Sequence, residues 1–525
     1  METALSPLEF ARRARRLYGN REAVVDGELR LTYAQFFDRC DRWSSALQAM
    51  GIGAGDRVAY IAPNTHANLE GFYAVPQIGA VLVPINYRLT ADDFVYLLNH
   101  SGARAVCVHS DYLEPLDRVR DRLDTVVHFI ALEGGAGRDG WLAYEALLAG
   151  STRSFVEPPI AERSLLTINY TSGTTAKPKG VMMTHRNAYM NTVGTLVHVH
   201  MTAAERYAWT LPMFHANGWT FVWTVTAVGG THLCLRRVDP VKVFELIRRE
   251  NATMLCAAPT VLIAIANASD DERRDVPSGV RVLTAGAPPA AATVERVERE
   301  LGWKLTQVYG LTETAPFILV CETRPEHSRL GTAERAVVKA RQGVELVTSG
   351  EVRVVDAAGR EVAMDGQSQG EIVVRGNVVM EGYYNDPEAT SKSIHDGWFH
   401  SGDVAVVHPD GFVEIRDRLK DVIISGGENI SSVEVEAALL EHAAVREAAV
   451  VGMPDAKWGE VAHAFVVLRE GCATTEEELR SFLRSRLAHF KCPKAMRFVD
   501  ELPKTATGKI QKYLLRGMRS GIFAQ

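Results

Sequence analysis

At 525 residues, with 58 basic and 64 acidic side chains and a net charge of −6, the chain exceeds what one hydrophobic core serves, so two or more domains are expected. The small net charge carries no footprint for nucleic acid or another polyanion. Seven cysteines, an odd number with no C-x-x-C spacing, argue against a disulfide framework or a zinc site and fit a reducing cytosol.

The amino terminus lacks a basic segment followed by an apolar one, no apolar run reaches a membrane span, and the last residues are not the peroxisomal tripeptide. A soluble cytoplasmic protein without a membrane partner is expected. From residue 20 to about 320, short Val/Ile/Leu-rich runs alternate with longer helical stretches. Residues 57–62, 80–84, 103–108 and 125–130 read as strands and 69–78 as a helix. Apolar strands alternating with helices predict parallel sheets covered by helices. The hexad 135–140 matches G-x-G-x-x-G, but the chain about 20 positions on is loop-like rather than a strand ending in an acid, so it reads as a surface loop.

The most informative segment follows a predicted strand at 165–168. Thr171, Ser172, Gly173, Thr174, Thr175, Lys177, Lys179 and Gly180 crowd hydroxyls, glycines and lysines into one loop. Glycine lets the backbone approach a ligand closely, while hydroxyls, amides and lysines answer phosphate oxygens. A Walker loop is excluded, because Pro178 and Pro503 stand where its glycine is needed.

Further on, Tyr309, Gly310, Thr312 and Glu313 close a predicted strand. The aromatic suits a base face, the hydroxyl a phosphate oxygen and the carboxylate Mg²⁺. After residue 345 the pattern turns antiparallel, with strands at 351–355 and 371–375 and a hairpin at 405–415. Asp403 has the acceptors for ribose hydroxyls and Arg418 a planar donor set for the same sugar. A charged joint at 416–421 leads into an α+β pattern in which Ser431-x-x-Glu434 and Thr475-x-x-Glu478 open helices through 440 and 487. Lys509 ends a glycine-supported loop.

Together these segments resemble the adenylate-forming superfamily, and within it the acyl-CoA synthetases, from about residue 10 to residue 515. The resemblance implies an α/β fold. A large N-terminal domain, residues 1–419, would combine helix-covered, mostly parallel sheets with a small antiparallel β subdomain. A small mobile α+β domain, residues 420–525, would swing about Lys420 between two half-reactions. It implies ATP, Mg²⁺ and coenzyme A as cofactors and co-substrates. Gly286, Ala287 and Pro288 would line adenine, and Gly426 and Gly427 would belong to the loop that swings in for thioester formation. Lys509 would serve adenylation, with Thr312, Glu313 and His215 beside the reacting groups and Glu313 as the metal ligand. His215, Trp219, Gly310 and Ala315 would border the acid. The segment 212–220 lacks the aspartate that meets an amino acid's ammonium. The expected reaction is therefore activation of a medium-chain, branched, cyclic or aryl carboxylic acid and its transfer to coenzyme A. Loading of a carrier protein and a non-catalytic sensor are the alternatives. Ala176 departs from the glycine many members carry. The partners expected are small molecules, and the oligomeric state is open, a homodimer being common among such enzymes.

Overall fold

The computed structural model describes residues 2–133, 137–171, 177–425, 428–455, 457–505 and 508–518. Among them are four sheets. In the first large sheet, Leu165–Thr171, Val81–Ile85, Arg57–Ile61, Ala103–Val108, His128–Ala131 and Leu142–Ala143 run parallel. Lys179–Thr184 and Gly382–Tyr383 close its edge antiparallel. In the second, Lys304–Gly310, Arg281–Thr284, Met254–Ala257, Arg206–Ala208, Thr231–Leu233 and Glu22–Asp26 run parallel. Phe317–Val320, Val344–Glu345 and Leu29–Thr32 flank them antiparallel.

The two sheets share one apolar core. The helix His66–Gln77 lies in it with all 12 residues buried. A helix with protein on every side has no reason to keep a polar face, and its mainly apolar sequence reflects that. Thr32, Thr65, Thr90 and Thr184 each cap a helix start with the side-chain oxygen. Leu165–Thr171 of one sheet and Lys304–Gly310 of the other end beside the segments that carry Lys179 and Glu313, and open α/β sheets bind ligands at such carboxyl ends.

Glu351–Val355, Gly370–Arg375, Trp398–Val407 and Val413–Arg418 form the expected antiparallel sheet. The last sheet, built on the long pair Val445–Asp455 and Gly459–Leu468, carries Ser432–Leu440 and Glu476–Arg484 in one apolar cluster and Lys512–Gly517 in another. Several local expectations differ, the helix expected at 69–78 being His66–Gln77. The strand predicted at 125–130 is His128–Ala131. The helix predicted through 487 ends at Arg484. Ser431 caps its helix, but Glu434 completes no capping box, because both its carboxylate oxygens lie 2.8 Å from Lys491 Nζ. An ion pair with a remote lysine outcompetes a local backbone bond.

Between the helices of the first sheet, Glu70 is fully buried and lies 2.5 Å from both Arg39 Nε and Tyr144 Oη. Arg39 has a second partner, Glu145, at 2.6 Å. A buried carboxylate is tolerated only when paired and hydrogen-bonded. Glu70→Leu is expected to destabilise the protein by about 3 kcal/mol, since Arg39 keeps only Glu145. Tyr144→Phe should remove about 1 kcal/mol. Calorimetric melting of the two variants checks the order.

Candidate active site

The site begins with a buried carboxylate. Asp403 and Arg418 are register partners on neighbouring strands, and Arg418 Nε lies 2.7 Å from Asp403 Oδ1. Tyr309, at the end of the strand Lys304–Gly310, donates its hydroxyl to Asp403 Oδ2 at 2.7 Å. Burial, reinforced by Asp403, pushes the Tyr309 phenol far above its ordinary pKa, so it stays a donor. A carboxylate offers about four lone-pair positions, so Asp403 keeps capacity for two further donors. Gly310 follows, and a Cβ there would overlap the Pro316 carbonyl oxygen. Only glycine lets the two segments approach so closely.

Thr312 and Glu313 occupy the next short turn. Glu313 Oε1 accepts from Tyr383 Oη at 2.9 Å, and the Tyr383 ring carries Lys179 Nζ 4.8 Å from its centroid. Tyr383 thus joins the phosphate-loop lysine to the metal-ligand candidate. Sequence reasoning missed it: an aromatic after Gly382 has no motif of its own. Its signal is the edge pairing of Tyr383 with Val181, just past that loop. The other oxygen of Glu313 has no hydrogen bond among the described residues, so the donor set suits Mg²⁺. Thr171 and Lys179 are register partners that close the loop. Ser172, Gly173, Thr174, Thr175 and Ala176 lie outside the described residues, as do Gly426 and Gly427.

Gly286, at φ +94°, and Ala287 are exposed where the loop leaves the strand Arg281–Thr284, and Pro288 is half-buried. Below this loop Thr284 and Gln307 are register partners. Strand alternation puts Gln307 on the same face as Tyr309. Thr284 Oγ1 and Gln307 Oε1 are buried without a hydrogen-bond partner. An orphaned acceptor beneath the nucleotide segment fits a ligand that donates, such as the exocyclic amine of adenine. Gln307 was also missed, since a lone carboxamide before an aromatic is not a motif.

Lys509 comes from the carboxyl-terminal unit. Gly508, at φ +83°, leans on Thr260, and a Cβ would overlap the threonine oxygen. Lys509 is exposed by area, yet protein of both units surrounds it, the geometry of a group standing in a cleft. The Arg418 charge, then burial, lower its pKa to about 8. Burial, then Lys509, lowers His215 to about 4, so its imidazole is neutral at pH 7. Lys420 has its pKa lowered by burial, and its carbonyl accepts from Arg516 Nη2 at 3.4 Å.

After His215 the backbone turns left-handed for five residues, with φ of 39°, 49°, 53°, 52° and 69° from Ala216 to Thr220. Each non-glycine residue there costs about 1–2 kcal/mol, so the surroundings must over-determine the turn. Asn217 Nδ2 is held by Thr167 Oγ1 and Met183 Sδ, both at 3.0 Å, and Asn64 Oδ1 accepts from the Met213 amide at 2.9 Å. Trp219, Phe221 and Trp223 are all buried. Trp219 belongs to the left-handed turn and meets Phe317 edge-on at 5.7 Å, two residues from the buried Ala315. Phe221 stacks on Tyr207 at 4.6 Å and Trp223 meets Phe72 at 6.1 Å, both within the core.

Residues 10–384 match the family model described as AMP-binding enzyme, and residues 434–509 match the AMP-binding enzyme C-terminal domain. The chain is 43% identical to 4-hydroxybutyrate–CoA ligase 2 of Metallosphaera sedula over 98% of this chain and 94% of that one. It is 41% identical to a 2-methylpropanoate–CoA ligase of Humulus lupulus over 99% and 96%. Some plant relatives carry a peroxisomal location in their names. The crystal structure of the anthranilate CoA ligase AuaEII with anthranoyl-AMP superimposes with a TM-score of 0.90 at 24% identity, covering 99% of this chain and 98% of that one, which shows the shared fold.

The lowered pKa of Lys509 is directly measurable. Competitive acetylation should show it titrating near pH 8, well below the ordinary lysine value. In Arg418→Met the midpoint should move up, because the neighbouring positive charge that most depresses it is gone; an unchanged midpoint would contradict the electrostatic account.

Proposed function

The chain belongs to the AMP-binding enzyme family and is an acyl-CoA synthetase, and we propose that its acid is a compact one: medium-chain, branched, cyclic or aryl. The enzyme uses ATP to convert a carboxylic acid into an acyl-adenylate with release of pyrophosphate, then passes the acyl group to coenzyme A with release of AMP. The observation that supports a compact acid is Trp219, buried against Phe317 and fixed by the left-handed turn beside His215. Relatives named for 4-hydroxybutyrate and 2-methylpropanoate agree in scale. The carrier-protein and sensor alternatives are not favoured, since relatives at this identity include named CoA ligases.

In the proposed division of labour, Tyr309, Gln307 and the 286–288 segment hold the base, and Asp403 with Arg418 holds the ribose. The loop from Thr171 to Lys179 and Thr312 cradle the phosphates. Glu313 would hold Mg²⁺, which neutralises phosphate charge. The first step brings two anions together: a carboxylate oxygen bonds to the α-phosphorus as the bond to pyrophosphate breaks. Lys509, Lys179 and Thr312 stabilise the charge that develops there. Neutral His215 adds no charge to the acid pocket. In the second step the coenzyme A sulfur bonds to the acyl carbon and AMP leaves, after the unit beyond Lys420 has turned and withdrawn Lys509. We place the domain boundary at 419/420. Among the described residues no helix is long and apolar enough to cross a membrane. A cytoplasmic enzyme acting on small molecules, as monomer or homodimer and without nucleic acid, is the proposed setting.

A panel of acids incubated with ATP, Mg²⁺ and coenzyme A, read by AMP release, tests the substrate class. Turnover confined to long-chain acids would refute the compact-acid reading. Lys509→Ala should lower ATP–pyrophosphate exchange by about 10²–10³-fold. Thioester formation from preformed acyl-adenylate should stay within about threefold of the parent, because this lysine is assigned to the first step alone. Equal loss of both would argue against two orientations. Lys509, at about 8, loses its proton as pH rises through that value, so kcat/KM for ATP should fall above about pH 8. Lys509→Arg should remove that limb.

A further inference from the structure

A cavity of about 180 Å³ sits on the seam between the two units, away from the nucleotide cleft. Asn267 and Arg296 line it from the amino-terminal unit, and His442, Arg446 and Arg469 from the carboxyl-terminal one. Asn267 follows the helix Pro259–Ala266, and Arg296 stands on Ala291–Leu301. Arg446 lies on the strand Val445–Asp455, and Arg469 follows Gly459–Leu468.

Two guanidiniums from different units share one neutral acceptor. Arg296 Nη1 donates to Asn267 Oδ1 at 2.6 Å and Arg469 Nη1 to the same oxygen at 2.5 Å. A carboxamide oxygen accepts both bonds but brings no charge. Arg296 has Glu300 at 3.1 Å. Arg469 has no carboxylate within ion-pair distance among the described residues, and burial, then Arg296, pulls its pKa below the ordinary arginine value. Arg446 keeps a buried Nε without a hydrogen-bond partner, and Glu447 stands 3.7 Å from it while Lys504 holds that glutamate at 2.5 Å. The one carboxylate lining the cavity among the described residues, Glu441, is engaged by Arg486 at 3.0 Å. His442 Nδ1 accepts from the Ala444 amide at 3.3 Å, so its other ring nitrogen is left to donate. The wall is rich in donors, and the acids on and beside it have partners elsewhere.

We propose that this seam binds a free divalent oxyanion such as phosphate, and that the bound anion holds the two units in the orientation seen here. The inference rests on the reading in which the carboxyl-terminal unit turns between half-reactions. The volume suits an oxyanion with a few waters. Because the site is divided between the units, it exists only while they are docked this way, with Lys509 beside Arg418. A ligand of one orientation favours it by a factor of 1 + [L]/Kd, about 11-fold at ten times Kd. Phosphate would therefore slow thioester formation and spare adenylation.

The test measures single-turnover thioester formation from preformed acyl-adenylate, and ATP–pyrophosphate exchange, on the full chain, with potassium phosphate replacing potassium chloride at constant ionic strength. Phosphate should slow the thioester step about tenfold and saturably, and change exchange less than about twofold. Arg469→Met should exchange like the parent in chloride and lose the phosphate effect; Arg446→Gln serves the same purpose if that variant does not fold. Equal slowing of both half-reactions, an effect that persists in the variant, or no effect overturns the proposal. Calorimetric titration with phosphate reads binding apart from catalysis: it should be saturable in the parent and lost in Arg469→Met, and its absence in the parent overturns the site. No thioester formed even in chloride would instead count against the coenzyme A reaction.

Discussion

One buried carboxylate sets the geometry on which the rest depends. Asp403 is almost fully shielded from water, and Arg418 and Tyr309 each take one of its oxygens at 2.7 Å. An unpaired charge in that place would be prohibitively unfavourable, so the three side chains form a unit. Tyr309 ends a strand of a large parallel sheet, while Asp403 and Arg418 sit on the antiparallel one. The unit therefore fixes one sheet against the other at the mouth of the crevice. Through space, the same Arg418 lowers the pKa of Lys509 and so couples the carboxyl-terminal unit to the site.

The far end of the cleft is built by a different device. Tyr383 holds Glu313 with its hydroxyl and Lys179 with its ring face. Opposite charges are thereby kept on one side chain without neutralising each other directly, which leaves both able to meet Mg²⁺ and phosphate. Beside them the left-handed turn stores strain that the Asn64 and Asn217 side chains hold in place. Strain of this kind persists only where the surroundings leave no alternative, and here the turn holds Trp219 against Phe317.

Much of this was legible in the sequence where chemistry is concentrated in short segments. The run from Thr171 to Gly180, the Tyr309-to-Glu313 segment, Asp403 with Arg418, and Lys509 each pair residue types with a local job, and the described members converge in space. What escaped was chemistry assembled from distant pieces. Gln307 matters because Thr284 stands beside it on another strand. Tyr383 matters because an edge strand returns next to Lys179–Thr184. The aromatic segment shows the limit of helical period: a helix exposed on one side buries one face, yet the core shared by the two sheets buries Trp219, Phe221 and Trp223 together.

By itself the sequence determined the class of fold and the reaction class, and it named the residue types of the candidate nucleotide site. Those follow from hydrophobic period, from prolines that exclude a Walker loop, and from motifs whose parts are close in the chain. Only the tertiary structure decided which polar atoms lose their partners, how far Arg418 and burial pull Lys509 from its ordinary pKa, and that two arginines of different units meet on one carboxamide. These are properties of distance and of exclusion from water, and neither is written in the order of residues.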